Sequence, residues 1–150
     1  MTGAGSTPVI DAHLHLWDLQ RSAYSWITPE LGPLHTDITA ERAEAELRAV
    51  GVAQAVLVQA EDSVTDTEFL LETAARCDWV AGVVGWVQLD DPDAAAAQLE
   101  RFGADPAFRG VRHLVHDDPR DDFGFRWSPW PTCVFFQLPS PSRLNRCTPS

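Results

Sequence analysis

Two histidines, His13 and His15, stand two residues apart in the run PVIDAHLHLW. Side chains two apart in a β-strand point to the same face, so a strand here places both imidazoles on one side. Two imidazoles on one face hold one divalent metal ion or flank one polar group of a substrate. The alternative is a pair of ordinary core or surface histidines, because this spacing also occurs by chance.

Polar side chains also occur where later apolar runs end. Gln59 closes the run VAQAVLVQ, and Arg112 and His113 lie within RGVRHLV. The amide side chain of Gln59 therefore has two interpretations, a contact with a substrate or an ordinary loop residue. Arg112 and His113 are neighbours, so strand alternation predicts that only one of them faces the interior of the fold. An arginine there clamps a carboxylate or carbonyl, and its alternative is a salt bridge to an outer helix.

The elements that must position these residues alternate between strands and helices. Apolar runs predict strands, and helical spacing of apolar residues predicts helices: strands at 8–17, 52–59, 79–89 and 109–115, helices at 40–50, 66–76 and 92–102. The order β-α-β-α-β-α-β favours a parallel sheet with right-handed crossovers. The nearly continuous apolar runs indicate strands that are covered on both faces. Doubly wound sheets and barrels both satisfy this pattern.

Capping residues mark the ends of the predicted helices: Thr39 and Gly51 for the first, Thr65 with Glu68 for the second, and Asp91, Pro92 and Gly103 for the third. A long loop with three aromatic residues separates the first strand from the first helix. No glycine-rich phosphate loop follows any predicted strand, which disfavours a nucleotide-binding function.

Composition restricts the partners. The formal net charge is −11 and the chain has no lysine, so phosphates of nucleic acid and anionic membranes would be repelled. No apolar run approaches the roughly 18 residues of a membrane span, and the N-terminus resembles no signal peptide. Cys77, Cys133 and Cys147 have no metal-type spacing, which predicts a reducing, cytoplasmic location.

The composition changes near Phe123. Residues 1–123 contain all 19 alanines and all 22 acidic residues, whereas residues 124–150 contain neither and hold five of the 11 prolines. One interpretation is a segment translated out of frame, and the other is a disordered Pro/Ser-rich tail. Its aromatic content argues against a solvated tail. We therefore expect one partial domain at 8–123 and an aberrant tail at 124–150.

The run VIDAHLHLWD resembles the opening of the amidohydrolase-related family, in particular its sugar-lactonase-like members of the fuconolactonase, rhamnonolactonase and pyrone-dicarboxylate lactonase types. The resemblance continues through SAYSWITPE, AVLVQA, GVVGWVQLD and FRGVRHLVHDDP, over roughly residues 8–122. It implies an α/β fold, the (β/α)8 barrel, with the site at the carboxyl ends of the strands. A full barrel needs about 250 residues, so the expected structure is its N-terminal half, about four β/α units, truncated and followed by an irregular tail.

The resemblance implies hydrolysis of a small-molecule lactone or similar cyclic ester by an activated water. His13 and His15 match the first-strand histidines that bind one divalent metal, such as zinc, in metal-using members. Other members work without a tightly held metal, in which case these histidines hydrogen-bond the carbonyl. The expected substrate-binding residues are Gln59, Arg112, His113 and Trp26. Trp17 and Trp86 are further candidates for stacking on a sugar ring, although core packing is the simpler reading of Trp86.

The chain also departs from the family pattern. A second-half histidine in an Asp-His-x-x-Lys-Pro context and a catalytic aspartate after the last strand have no counterpart, so we expect this chain to be inactive alone. Two alternatives stay open: a truncated or frameshifted fragment without function, and a metal-dependent decarboxylase of the same superfamily. His116, Asp117 and Asp118 are read as an exposed loop. The oligomeric state is left open.

Overall fold

The computed structural model describes residues 8–114, in which four strands alternate with three α-helices. In chain order these are β1 (Val9–Leu14), α1 (Ala40–Ala49), β2 (Val52–Val58), α2 (Val64–Arg76), β3 (Val80–Gly85), α3 (Pro92–Gly103) and β4 (Phe108–Val111). A kinked 3₁₀ segment, Pro29–Leu34, lies in the long loop after β1. The predicted order of elements is confirmed. No helix among the described residues is long and apolar enough to cross a membrane.

The four strands form one parallel sheet in the order β1-β2-β3-β4. The register brings their carboxyl ends level, since the last paired residues are Leu14 with Leu57, Val58 with Val84, and Gly85 with Val111. The residues that follow each strand therefore lie at one edge of the sheet. In parallel α/β sheets that edge is where ligands bind.

The predicted ends of the first and third helices are confirmed. Thr39 caps α1, because its hydroxyl accepts a hydrogen bond from the backbone N–H of Arg42 at 3.4 Å. Gly51 follows α1 with a φ of 74°, a left-handed conformation that glycine adopts without strain. Asp91 caps α3 by accepting from the N–H groups of Asp93 and Ala94.

The predicted start of the second helix is wrong by two residues. Ser63, not Thr65, caps α2, and its hydroxyl accepts from the backbone N–H of Asp66 at 3.0 Å. Ser63 and Asp66 have the same three-residue spacing as Thr65 and Glu68, so local pattern alone did not separate the two starts. Asp66 lies on the buried side of the helix.

The strands are shorter than predicted. The apolar run of β1 was expected to continue to residue 17, and the last strand was expected at 109–115, but β1 ends at Leu14 and β4 ends at Val111. Arg112 and His113 therefore follow the strand. β1 also differs from the expectation of two covered faces, since Val9 and Ile10 are 57% and 48% exposed at the edge of the described sheet.

The main hydrophobic core lies between the sheet and the helices. Its fully buried members come from β2, α2, β3 and the residues that follow β1 and β3, and they include Leu16, Leu57, Leu70, Val83 and Val87. A second, smaller cluster consists of Trp17, Tyr24, Ile27 and Ala60. This cluster joins the loop after β1 to the residues after β2, and so attaches that loop to the edge where the strands end.

Candidate active site

The histidine pair lies where β1 ends. His13 is exposed and His15 is half-buried, and their Nε2 atoms are 3.0 Å apart with the rings nearly perpendicular. Nδ1 of His15 lies 2.9 Å from the carbonyl oxygen of Val58 at the end of β2. A carbonyl only accepts, so Nδ1 of His15 carries the hydrogen and its Nε2 carries the lone pair. His13 therefore carries a hydrogen on Nε2 and donates it to the lone pair on Nε2 of His15.

His15 is held in its neutral form. Burial is the main cause that lowers its pKa from the ordinary value of 6.5, and the positive charges of His13 and Arg112 act in the same direction. The hydrogen bond to Val58 opposes this shift without cancelling it. A neutral imidazole is the form that binds a metal ion or accepts a hydrogen bond.

The pair fits the geometry of two ligands on one zinc ion. Two nitrogens at about 2.05 Å from a tetrahedral zinc ion stand about 3.3 Å apart, close to the 3.0 Å between the two Nε2 atoms here. The bond from His15 to a backbone carbonyl is the kind of second contact that orients a metal-binding histidine. Within residues 8–114, no group of three or more His, Cys, Asp or Glu side chains is arranged to hold a metal ion.

Gln59 connects the ends of β2 and β4. Its side chain is fully buried, and Nε2 donates to Oδ1 of Asp62 at 2.9 Å and to the carbonyl of Arg112 at 3.3 Å. In return, Nη1 of Arg112 donates to the carbonyl of Gln59 at 3.0 Å. Oε1 of Gln59 has no hydrogen-bond partner among the described residues. The predicted strand-end amide is thus part of a polar network at the carboxyl edge.

Arg112 and His113 both join this network, although alternation predicted that only one would face inward. Both follow β4 rather than lie in it, so the alternation of a strand does not apply to them. Arg112 reaches across to β2, and Nδ1 of His113 lies 2.8 Å from Oδ2 of Asp62 and 3.1 Å from Nε1 of Trp86. The structure therefore brings His15, Gln59, Arg112 and His113 to the same end of the sheet.

The aromatic loop lies beside these residues. Trp26 is 37% exposed, and its indole N–H donates to the carbonyl of Ala60 at 2.7 Å. Its ring packs edge-to-face on the buried Trp17, with 5.5 Å between ring centroids. Trp86 is half-buried at the end of β3, where the hydroxyl of Thr67 accepts from its backbone N–H at 2.8 Å. Trp26 thus presents part of an aromatic ring near the strand ends.

A buried tyrosine and aspartate fasten this loop to the sheet. The hydroxyl of Tyr24 donates to Oδ1 of Asp66 at 2.6 Å, and Oδ2 of Asp66 accepts from the N–H groups of Ala60 and Glu61 at 2.8 and 3.3 Å. Burial raises the pKa of Asp66 despite these three donors, and burial together with the carboxylate raises the pKa of Tyr24. Tyr24 has a φ of 38°, a strained conformation for a bulky residue.

Sequence reasoning missed Asp62, Asp66 and Tyr24. The available signal was position, because Asp62 follows β2 by four residues and therefore lies at the edge where the site was expected. Two of their contacts join residues far apart in sequence, 42 residues for Tyr24 with Asp66 and 52 for Asp62 with Leu114, beyond the reach of any local pattern. His116, Asp117, Asp118 and the predicted tail at 124–150 lie outside the described residues.

Sequence relatives point to one family. The amidohydrolase family model matches residues 10–136. The L-fucono-1,5-lactonase of Burkholderia ambifaria is 37% identical over 114 residues, and that of Burkholderia multivorans is 33% identical over 109 residues. These alignments include 76% and 73% of this chain but 39% and 36% of the lactonases. The chain thus spans well under half the length of the curated relatives it matches.

Solved structures give the same result. An amidohydrolase from Burkholderia multivorans with bound HEPES superimposes with a TM-score of 0.68, and an amidohydrolase structure from the same organism with bound zinc superimposes with a TM-score of 0.63. Each is 30% identical, and each match covers 75% of this chain and 39% of the other. The parallel β/α units and these relatives confirm the predicted α/β class, with the chain matching part of the barrel.

Proposed function

Because the chain belongs to the amidohydrolase family, we propose that it carries one half of a hydrolytic site that opens a sugar lactone or a similar cyclic ester with an activated water. The observation that carries this proposal is the pair of imidazoles, His13 and His15, held at the strand ends beside Gln59, Arg112 and His113. The two L-fucono-1,5-lactonases that the chain resembles support the lactone as the substrate class.

The two histidines would bind the carbonyl oxygen of the lactone. His15 is neutral and oriented by Val58, so its Nε2 is directed away from β2 toward His13. A lactone oxygen that replaces the contact between the two rings would meet the Nε2 hydrogen of His13. That donor stabilises negative charge on the oxygen when water attacks.

Two further side chains would bind the rest of the substrate. The guanidinium of Arg112 has one N–H on the carbonyl of Gln59, and it has other donors for hydroxyl or carbonyl oxygens. Trp26 is fixed by its bond to Ala60, and its exposed part offers an apolar face for a sugar ring. The ligand would thus lie between the histidine pair and the aromatic loop.

In the alternative mode, a zinc ion would bind to Nε2 of both histidines, which stand 3.0 Å apart, and the hydrogen of His13 would then be on Nδ1 instead of Nε2. When bound, such an ion supplies Lewis-acid polarisation of the carbonyl and lowers the pKa of its water. The zinc-bound relative supports this choice of metal. The chain's own part is to keep His15 neutral and turned toward His13 through its bond to Val58.

Turnover by this chain alone is expected to be weak. The match covers 39% and 36% of the two lactonases, so residues that the rest of such an enzyme contributes lie outside the matched part. A positioned general base typically contributes about 10²- to 10⁴-fold to such a reaction. We therefore expect lactone binding to be easier to detect than lactone opening.

The test uses the full chain and a variant in which both His13 and His15 are replaced by asparagine. Hydrolysis of five- and six-membered sugar lactones is followed by acid release, with and without zinc, and lactone binding is followed by ligand-observed NMR. Turnover or saturable binding that the double variant loses supports the proposal. Neither turnover nor binding in the wild-type chain, or equal behaviour of the two proteins, overturns it.

A further inference from the structure

Asp62 joins the ends of two strands through one carboxylate. Oδ1 accepts from Nε2 of Gln59 at 2.9 Å, and the backbone N–H of Leu114 lies 3.1 and 3.0 Å from Oδ1 and Oδ2. Oδ2 is 2.8 Å from Nδ1 of His113. Asp62 lies in the loop after β2, whereas Leu114 and His113 follow β4, more than fifty residues further along the chain.

Nδ1 of His113 has two neighbours that require opposite protonation states of this nitrogen. The carboxylate of Asp62 accepts, whereas the indole N–H of Trp86, at 3.1 Å, donates. One ring nitrogen carries either a hydrogen or a lone pair, so it serves only one of these partners. The contact to Asp62 is shorter and involves a charge, which makes it the stronger bond. Both side chains are largely shielded from water, at 11% and 20% exposed, so solvent weakens this bond little.

We propose that Asp62 is a positioning residue, which fixes His113 as the tautomer with hydrogen on Nδ1 and holds its ring at the strand ends. The proposal deepens the lactone-opening function and rests on it for its role. With the hydrogen on Nδ1, the lone pair of the neutral ring is on Nε2. Asp62 thus decides which side of the His113 ring donates a hydrogen bond and which side accepts one. Without Asp62, the indole N–H of Trp86 would favour the opposite tautomer, because it needs a lone pair on Nδ1.

The same carboxylate also orients Gln59. Because Nε2 of Gln59 is bound to Asp62 and to the carbonyl of Arg112, the amide cannot exchange its oxygen and nitrogen without losing both bonds. Asp62 therefore sets the direction of two side chains that were predicted to bind substrate. A merely structural aspartate would instead act through the backbone N–H of Leu114, and an asparagine would serve that bond equally well.

The experiment measures the tautomer of His113 directly. Long-range ¹H–¹⁵N NMR of the full chain labelled at histidine separates protonated from unprotonated ring nitrogens, and a His113→Gln variant assigns the signals. The wild type is compared with Asp62→Asn, which keeps an oxygen for Leu114 but removes the charge. Tyr24→Phe is the matched control, since it loses a hydrogen bond to a different carboxylate, Asp66, and touches neither His113 nor Asp62.

The wild type and the control should show hydrogen on Nδ1 of His113, and Asp62→Asn should shift the tautomer ratio toward Nε2 by about tenfold or more, the equivalent of one charged hydrogen bond. Hydrogen on Nε2 in the wild type overturns the proposal without any variant. An unchanged ratio in Asp62→Asn overturns it as well. The readout does not depend on turnover: a tautomer shift in a chain without lactonase activity supports the positioning role while the lactone proposal fails.

Discussion

Asp62 and Asp66 are four residues apart around the start of α2, yet they serve different regions of the molecule. Asp66 is fully buried and accepts three hydrogen bonds that fasten the aromatic loop to the sheet. Asp62 is partly exposed and accepts hydrogen bonds from the side chain of Gln59 and the backbone after β4. One carboxylate holds a loop in place, and the other contacts Gln59 and His113, two side chains that we propose to bind substrate.

The difference shows that depth from water separates the two roles. A buried carboxylate is tolerated only when donors surround it, and removing it leaves those donors without partners. Asp62 keeps 20% of its side chain exposed, so its removal leaves donors that water can partly satisfy, and we expect its main effect to be on the orientation of its neighbours. The predictions below separate stability from site chemistry on this basis.

The largest expected effect is on stability. Asp66→Ala leaves the hydroxyl of Tyr24 and two backbone N–H groups without an acceptor, so the free energy of unfolding should fall by about 3 kcal/mol. Asp62→Ala should lower it less, by about 1 kcal/mol, since the side chain of Asp62 is itself 20% exposed and water can reach the space that it leaves. Urea unfolding followed by tryptophan fluorescence measures both values. Equal losses would remove the distinction between the two aspartates.

The second effect concerns zinc binding. His13→Gln removes one of two proposed ligands and should weaken zinc binding by tenfold or more, as changes around metal sites typically do by about 10- to 100-fold. Because His13 is exposed, its replacement should change the free energy of unfolding in metal-free buffer by less than about 0.5 kcal/mol. Calorimetric titration with zinc provides the affinity.

The matched control is His35→Gln. His35 is an exposed histidine at the end of the 3₁₀ segment and is not part of the proposed ligand pair. Its replacement should leave zinc affinity unchanged. If His35→Gln weakened zinc binding as much as His13→Gln, the metal would be held by scattered surface histidines rather than by the pair.

A third, smaller effect tests how the loop is attached. Tyr24→Phe keeps the buried ring and removes one hydrogen bond to Asp66, which should lower the free energy of unfolding by about 1.5 kcal/mol. Amide hydrogens around Tyr24 and Trp26 should exchange faster, while zinc affinity stays the same. Hydrogen exchange measured by NMR provides this readout. A loss as large as that of Asp66→Ala would mean that the two backbone bonds of Asp66 contribute nothing.

The smallest expected effect is a pH dependence from His15. Its pKa is lowered in the folded chain, mainly by burial, so the unfolded chain binds the proton more tightly. The resulting stability is present above pH 6.5 and is lost as the pH falls through the lower, folded pKa. In metal-free buffer, wild type should therefore lose more stability than His15→Gln between pH 7 and pH 5. Identical pH profiles for the two proteins would contradict the burial of His15.

Much of the fold was predictable from local pattern. The order of the elements, the bounds of α1 within one residue, and the caps Thr39 and Asp91 follow from periodicity and capping chemistry, which act over a few residues. The start of α2 was not predictable in this way, because Ser63 and Thr65 both offer a cap three residues before an acidic side chain. Because α2 starts at Val64, Asp66 lies in its first turn, where it is buried and accepts a hydrogen bond from Tyr24.

The site was predictable in position and only partly in its contacts. His13, His15, Gln59, Arg112 and His113 were identified because polar residues at the ends of apolar runs stand out in sequence. Their roles as ligands or substrate contacts stay predictions. The ends of β1 and β4 were not found, because apolar residues resume at Leu16 and Leu114, two and three residues past the last paired residues, and only the sheet register shows where pairing stops.

The sequence by itself determined that this chain alternates strands and helices and that its candidate site residues lie near the ends of apolar runs. The tertiary structure alone decided which atoms meet: the carbonyl of Val58 with His15, Asp62 with His113, and Tyr24 with Asp66. The physical reason is distance along the chain. Periodicity and caps are set by neighbours within a few residues, whereas these partners are more than forty residues apart and meet only through the register of the parallel sheet.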